Sequence, residues 1–316
     1  MSIALGVVMD PIDTIKIRKD STFAMLLEAQ RRGWQLFYML QGDLALDGGL
    51  CTASMRALSV RDDPDDWFDL SDSDQRPLEQ LDVVLMRKDP PFDMEYVHTT
   101  YLLEQAEAQG VVVVNRPRAL RDANEKLFTA WFPEVCAPTL VSRKHAAFTD
   151  FLGRFDDIIL KPLDGMGGAS IFRVRGDDPN KNVIIETLTD HGRRFAMAQR
   201  FIPEISAGDK RILVIDGKPV PYALARIPTA GETRGNLAVG GRGEGVPLTG
   251  RDREIVEIVA PRLREHGILF AGLDVIGDYL TEVNVTSPTC IRELDSLYNL
   301  NISAILLDCI EQKLAV

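Results

Sequence analysis

Three stretches of the chain hold residue types at spacings that could do chemistry. In the first, Lys161 ends an apolar segment and Pro162-Leu163-Asp164-Gly165-Met166-Gly167-Gly168-Ala169-Ser170 follows. Glycines let the backbone approach a ligand closely, so several N–H groups can converge on phosphate oxygens, with the lysine as a point charge. The lysine precedes the loop instead of closing it, so this is not a Walker A motif. In isolation a glycine hairpin with a surface lysine reads equally well. The second stretch is Glu282-Val283-Asn284-Val285-Thr286, with Asp274 shortly before it. Glu282 and Asn284 are two apart, so on a strand they share a face. Two carboxylates and an amide oxygen make a hard, all-oxygen site suited to Mg²⁺, which takes its remaining ligands from water and phosphate. A solvated polar strand face is the competing explanation. The apolar neighbours Leu273, Val275, Val283 and Val285 weaken it, because they imply a core on the other face.

The third stretch supplies arginines: Asp209-Lys210-Arg211, then Arg226, Arg234 and Arg242. Arginine forks match phosphate and carboxylate oxygens and stabilise charge on a transferring phosphoryl group. Arg234 and Arg242 lie in a long glycine-rich stretch, residues 227–247, which reads as a lid or as a solvated loop. Two further segments matter only in company. Asn124-Glu125-Lys126-Leu127 offers a second lysine that could converge with Lys161. Residues 199–203, with Gln199 at their start, could hold a purine between Phe201 and Ile202, although alone they read as a core strand.

Composition bounds the class. Of 316 residues, 45% are hydrophobic and 26% charged, as in a folded globular protein, and the length suits two domains or three small ones. The formal net charge of −11 disfavours a general nucleic-acid binder, which needs a basic face. No run of about 18 apolar residues appears, so no membrane span is expected. Residues 1–10 read as a buried strand and not as a signal peptide. Cys51, Cys136, Cys290 and Cys309 are far apart, and the four histidines are equally scattered. Neither a disulfide framework nor a zinc cluster fits, and a cytoplasmic setting is expected.

The elements that must position these residues fall into two styles. Apolar strands at 3–10, 34–40, 81–86 and 111–115 alternate with helices at 23–32, capped by Ser21, and at 94–109. This predicts an open, mostly parallel α/β sheet with ligands at the strands' carboxyl ends, where Asp10, Arg87, Asp89 and Asn115 fall. Residues 46–80 read as an acidic insertion with a hairpin. The remainder is α+β. Strands at 137–141, 158–163, 170–174 and 195–202 surround a helix at 144–154. Strands at 211–216 and 220–226 pair across Asp216-Gly217. A helix at 251–267 precedes strands at 269–276 and 279–285, and a last helix spans 297–313. A boundary near residue 120 follows.

In this order, these features resemble the ATP-grasp superfamily, and most closely its bacterial glutathione synthetase family. The resemblance rests on Val8-Met9-Asp10-Pro11, on Met86-Arg87-Lys88-Asp89-Pro90-Pro91-Phe92-Asp93, and on Leu120-Arg121-Asp122-Ala123-Asn124-Glu125-Lys126-Leu127. It continues through 161–168, Gly231-Glu232-Thr233-Arg234-Gly235-Asn236, and 282–288, and so covers residues 3 to about 312. It implies an N-terminal substrate-binding domain (1–122), then an ATP-grasp fold of two α+β subdomains (123–202 and 203–316) clasping ATP. The implied activity is ATP-dependent ligation of γ-glutamylcysteine to glycine through an acyl phosphate. By the family pattern, Lys126 and Lys161 contact ATP, Asp164, Gly165, Met166, Gly167 and Gly168 cover its phosphates, Gln199, Phe201 and Ile202 take the adenine, and Asp209 lies near the ribose. Asp274, Glu282 and Asn284 hold two Mg²⁺ ions, for which Mn²⁺ can substitute. Arg211, Arg226 and Arg234 stabilise the transferring phosphoryl group, and Asp10, Arg87 and Ser287 line the dipeptide and glycine pocket. The resemblance also suggests a homotetramer, with no nucleic-acid or membrane partner.

The chemistry is self-consistent. A carboxylate is a poor acylating agent, an acyl phosphate is a good one, and its lability to water calls for a lid. Rival readings are another ATP-grasp ligase of the D-alanine–D-alanine or glutamate-adding kind, and a non-catalytic nucleotide-binding module. A nicotinamide dehydrogenase is discounted because Met9-Asp10-Pro11 lacks GxGxxG.

Overall fold

The computed structural model describes residues 2–165, 168–229 and 242–315. Eight strands build the first sheet: β1 (Ala4–Val8), β2 (Gln35–Met39), β3 (Leu44–Asp47), β4 (Leu50–Val60), β5 (Phe68–Leu70), β6 (Asp74–Pro77), β7 (Val83–Met86) and β8 (Val112–Val114). Their main path runs β3-β4-β2-β1-β7-β8. The pairs β1–β2, β1–β7 and β7–β8 are parallel, as the continuous apolar runs require. The segment read as an acidic insertion is more ordered than that: β4 pairs antiparallel with β2, β3, β5 and β6 and extends the sheet. Helix α1 (Ser21–Arg31) lies on one face, with α2 (Met94–Ala108) and α3 (Pro117–Asp122) on the other. The cap of α1 is Asp20, whose carboxylate accepts the Phe23 N–H at 2.6 Å. Ser21, expected as the cap, instead accepts the Ile291 N–H at 3.1 Å.

The second sheet is antiparallel, in the order β11-β10-β12-β9: β9 (Thr139–Ser142), β10 (Asp157–Pro162), β11 (Phe172–Arg175) and β12 (Ala196–Arg200). Its outer face packs on α4 (His145–Phe155) and on α5 (Lys181–Thr189), a helix not anticipated from the sequence, through Phe148, Phe151, Ile158, Leu160, Ile185 and Ala198. The third sheet is also antiparallel, in the order β15-β14-β13-β16-β17. It comprises β13 (Asp209–Ile215), β14 (Lys218–Ile227), β15 (Arg242–Pro247), β16 (Phe270–Ile276) and β17 (Tyr279–Asn284). Arg242 therefore starts a strand and does not belong to a structureless lid. Helix α6 (Gly250–His266) covers the rear of this sheet and stops at Gly267, φ +74°. Lys210 points to that rear face and meets the buried Asp252 carboxylate in the first turn of α6. The expected final helix is two helices, α7 (Ile291–Tyr298) and α8 (Ile302–Leu314), separated by Asn299 at φ +50°. No helix among the described residues is long and apolar enough to cross a membrane.

Two contacts lock the first sheet to the rest. Asn115, leaving β8, is 4% exposed and uses its whole amide. Its Nδ2 donates to the carbonyls of Phe270 and Val285, both at 2.7 Å, and its Oδ1 accepts from the N–H groups of Leu269 (2.8 Å) and Phe270 (2.9 Å). Glu28 on α1 joins α8: it accepts from Arg31, Arg32 and Asn301, while Arg32 also reaches Asp308 and Glu311. Hydrogen bonds from Arg31, helped by Arg32 and Asn301, draw the Glu28 carboxyl down to about 2.

Asn115→Ala strands four buried backbone groups and is expected to cost about 3 kcal/mol or more, read as a lowered urea midpoint. Glu28→Gln is expected to lower the melting temperature at neutral pH by a few degrees. A carboxyl lowered in the folded state contributes fully above its ordinary value of 4.5 and loses that contribution as pH falls through about 2. The gap between Glu28→Gln and the natural protein should therefore close as the medium is acidified across that window.

Candidate active site

The second and third sheets face each other across a cleft of about 320 Å³. Strand alternation puts Ile159, Lys161 and Gln199 on the cleft side of the second sheet, since Ile159 lies opposite Gln199 across the β10–β12 ladder. On the third sheet, Asp209 lies opposite Arg226, Arg211 opposite Asp274, and Asp274 opposite Glu282. Opposed residues share a face, so all five point into the cleft, together with Asn284 opposite Gly272.

Two bulges make this possible. Near the β13–β14 turn, Val214 pairs with Pro219, but Ile212 pairs with Ala223. Without that shift, Arg226 would lie beyond the start of β13, out of register with Asp209. Pro219 and Pro221 carry no N–H and cannot sustain an unbroken ladder there. Between β16 and β17, Val275 pairs with Leu280 but Asp274 with Glu282, leaving Thr281 as the extra residue. A one-residue slip exchanges faces, so this bulge turns Glu282 and Asn284 onto the face of Asp274. The Thr281 hydroxyl closes the bulge by donating to the Asp274 carbonyl at 3.1 Å.

The result is a buried charge array. Arg211 forks onto Asp274, with Nη2 at 2.9 Å from Oδ2. Arg226 reaches Asp274 at 2.8 Å and Asp209 at 2.5 Å. Lys126, on the turn after α3, contacts the Glu125 carboxylate and the Gly165 carbonyl. Lys126 and Lys161 each stand 3.8 Å from Glu282. Burial alone would raise the Asp274 carboxyl, but the facing guanidiniums of Arg211 and Arg226 hold it below the usual range. Glu125 is pushed up to about 7 by burial and by the Glu282 charge, and Asp209 to about 7 by burial. Burial lowers Lys161, whereas Lys126 is raised by Glu282 and Glu125 in spite of its burial.

This donor set suits a hard divalent cation. No side-chain hydrogen bond reaches Glu282 among the described residues, so its oxygens are free to ligate. Asp274 takes one bond on Oδ1 and three on Oδ2, leaving an acceptor position on Oδ1. Asn284 uses its Nδ2 toward Gly272 and Asp274, which turns its oxygen outward. The described residues contain no group of three His, Cys, Asp or Glu able to hold a metal. Two carboxylates and one amide suit an ion that takes its other ligands from water and phosphate.

The sequence-predicted residues Lys126, Lys161, Gly165, Gly168, Gln199, Phe201, Ile202, Asp209, Arg211, Arg226, Asp274, Glu282, Asn284 and Ser287 all line the cleft. Asp164 lines a small side pocket beside it, with Asn124 and Thr286. Asp10 sits at the rim, accepting the Asp89 N–H at 2.9 Å and pairing with Lys88 at 2.8 Å. Arg87 is not in the cleft wall. It is buried, donating to the Thr22 hydroxyl and the Pro288 carbonyl, both at 3.0 Å. Met166, Gly167 and Arg234 lie outside the described residues. Sequence reasoning missed the apolar slot formed by Ile159, Ile171, Ile205 and Ile276 with Ile202, and the Thr289-Cys290 corner. The β10 alternation could have exposed Ile159, but nothing local marks Ile171, Ile205 or Ile276.

A parallel-sheet domain backed against two antiparallel sheets, which clasp buried lysines and arginines over an acidic strand, defines an ATP-grasp protein. Comparisons agree. D-cycloserine synthetase DcsG superposes with a TM-score of 0.66 at 15% identity, covering 97% of this chain and 99% of that one. The ATP-grasp ligase PsnB, complexed with its precursor peptide and AMPPNP, gives 0.63 at 16% identity, covering 99% and 98%. At such identities the likeness shows the fold. The model of the prokaryotic glutathione synthetase N-terminal domain matches residues 3–121, and that of the prokaryotic glutathione synthetase ATP-grasp domain matches residues 125–299. Glutathione synthetase of Pseudomonas putida is 62% identical over 314 residues, and that of Vibrio vulnificus 59% over 314, each match covering 99% of both chains. The chain belongs to the prokaryotic glutathione synthetase family.

Removing either acid of the metal strand should affect stability unequally. Asp274→Asn leaves buried Arg211 without its ionic partner and Arg226 with Asp209 alone, and is expected to cost about 3–5 kcal/mol. Glu282→Gln breaks no short hydrogen bond and relieves its crowding of Glu125, so its urea midpoint should fall far less.

Proposed function

We propose that this protein is an ATP-dependent ligase that joins γ-L-glutamyl-L-cysteine to glycine, yielding glutathione, ADP and phosphate. The observation that carries this reading is the cleft itself: four buried cations facing the Glu282–Asn284 strand, in a chain that matches glutathione synthetases along 99% of both lengths.

Lys126 and Lys161 bind nucleotide phosphates, and the 164–168 loop, with Asp164, Gly165, Met166, Gly167 and Gly168, covers them. The isoleucine slot and Phe201 take the adenine ring, Gln199 and Ile202 border it, and Asp209 stands toward the ribose. Phe201 is a firm wall because Arg173 stacks 3.6 Å above its ring and is itself held by Asp157 at 2.6 Å. Asp274, Glu282 and Asn284 would hold two Mg²⁺ ions, replaceable by Mn²⁺, which when bound draw charge from the phosphoryl oxygens.

The dipeptide's glycyl-accepting carboxylate attacks the γ-phosphorus, the bond to the ADP oxygen breaks, and an acyl phosphate forms. The glycine amine then attacks the acyl carbon and phosphate leaves with the C–O bonding pair. Arg211 and Arg226 stabilise charge on the transferring group through both steps. Arg234 belongs to the same set by family pattern, on the stretch that excludes water. Asp10 and Ser287 border the dipeptide and glycine, and Arg87 acts from behind by holding the Pro288 carbonyl. We divide the chain at residues 122 and 202 into a substrate domain and two ATP-grasp subdomains. A homotetramer in a reducing cytoplasm suits the family and the four free thiols.

ADP release should require ATP, a divalent cation, dipeptide and glycine together. It should stop on chelation, return with Mg²⁺ or Mn²⁺, and fall at least about 100-fold in Glu282→Ala. Turnover with D-alanine or glutamate but not glycine would overturn the acceptor assignment.

A further inference from the structure

Asn124 does not line the cleft itself, yet it joins the two lysine-bearing segments. Its Oδ1 accepts the N–H groups of Lys126 (3.1 Å) and Leu127 (2.8 Å), which caps the short turn carrying Lys126. Its Nδ2 donates to the carbonyl of Leu163 at 3.0 Å, 39 residues away, two residues past Lys161 and just ahead of the glycines. The neighbouring residue ties the same turn to the metal strand, because the Glu125 carbonyl accepts the Val283 N–H at 2.7 Å. The turn thus has fixed attachments to β17 and to the root of the glycine-rich loop. Among the described residues, a second link between turn and loop is the Lys126 ammonium on the Gly165 carbonyl at 2.5 Å. That ammonium is the group that must turn to a phosphate, so its bond to the loop is in competition with its own task. The Asn124 amide has no such competing role.

We propose that Asn124 is a positioning residue: its amide sets the register between the Lys126 turn and the root of the glycine-rich loop, so that both lysines meet one polyphosphate. This rests on the assignment of that loop to the nucleotide. The two halves of the amide can be separated chemically. Serine is as good a helix cap as asparagine but is too short and lacks the amide to reach Leu163. Asn124→Ser therefore keeps the cap, adds no charge and removes the tether. Asn124→Ala removes both.

The experiment measures equilibrium binding of ATP with Mg²⁺ by calorimetry, steady-state KM values for all three substrates, and thermal midpoints. For Asn124→Ser the expected result is a rise of about tenfold in the Kd and KM for ATP, because only about a tenth of the free protein then holds the register the tether had fixed, with dipeptide and glycine KM within about twofold and a melting point lowered less than in Asn124→Ala. Asn124→Ala should show the same nucleotide defect plus a lowered melting point. Asn124→Ser with unchanged ATP affinity overturns the proposal, as does a loss shared equally among the three substrates. Should Asn124→Ser not fold, Asn124→Asp keeps the cap and also lacks the donor; ATP binding by it at the natural affinity overturns the proposal too. Failure of the natural protein to bind ATP at all would instead overturn the nucleotide assignment, and this inference with it.

Discussion

The molecule is organised around the cost of burying charge. Lys126, Lys161, Arg211 and Arg226 are each between 2% and 6% exposed, and an unpaired ion at such depth is prohibitively expensive. Each is therefore matched by a carboxylate: its chain neighbour Glu125 for Lys126, Glu282 between the lysines, Asp274 for both arginines, and Asp209 for Arg226. The matching needs three separate elements to arrive in fixed register. That explains why the third sheet carries two bulges, why Asn115 spends its whole amide on the junction with β16, and why the turn after α3 is tied to β17. A chain of net charge −11 can hold a locally cationic cleft only where its acids are placed as closely as its bases.

Much of this was legible in the sequence, for an identifiable reason. Strand residues two apart share a face, so the pair Glu282/Asn284 announces itself without any knowledge of the fold. Apolar runs ending in Asp10 and Arg87 give the parallel sheet. The Asp216-Gly217 hairpin and the Gly267 stop follow from the left-handed conformations they adopt, with φ +49°, +72° and +74°.

What was not legible is what depends on pairing between segments. A hairpin counted outward from Asp216-Gly217 puts Arg226 out of reach of Asp209, and one counted from Gly277-Asp278 puts Thr281 opposite Asp274 and turns Glu282 to the wrong face. Both counts fail because of bulges whose cause is packing and, in β14, paired prolines. The caps show the same limit on a smaller scale. Asp20 and Ser21 are both good capping residues, and the contest between them is decided by Ile291, an α7 residue that takes the serine. Asn299, which splits the last helix, and Arg87, which turns away from the cleft toward Thr22 and Pro288, are likewise settled by partners distant in the chain.

Burial sets the charge of the cleft as much as pairing does. Lys126, Lys161, Arg211 and Arg226 face Glu125, Asp209, Asp274 and Glu282 across the cleft. The upward displacement of Glu125 and Asp209 to about 7 follows from their burial, with the negative charge of nearby acids adding to it. Displaced upward, these two acids offset less of the cations' charge at neutral pH, and the cleft stays locally cationic. Among the described residues no side-chain hydrogen bond reaches Glu282, which meets only the two lysine ammoniums at 3.8 Å, and the Asn284 oxygen is turned outward, an arrangement that suits a hard divalent cation. The crowding of acids that burdens the ligand-free fold is what a bound divalent cation would relieve.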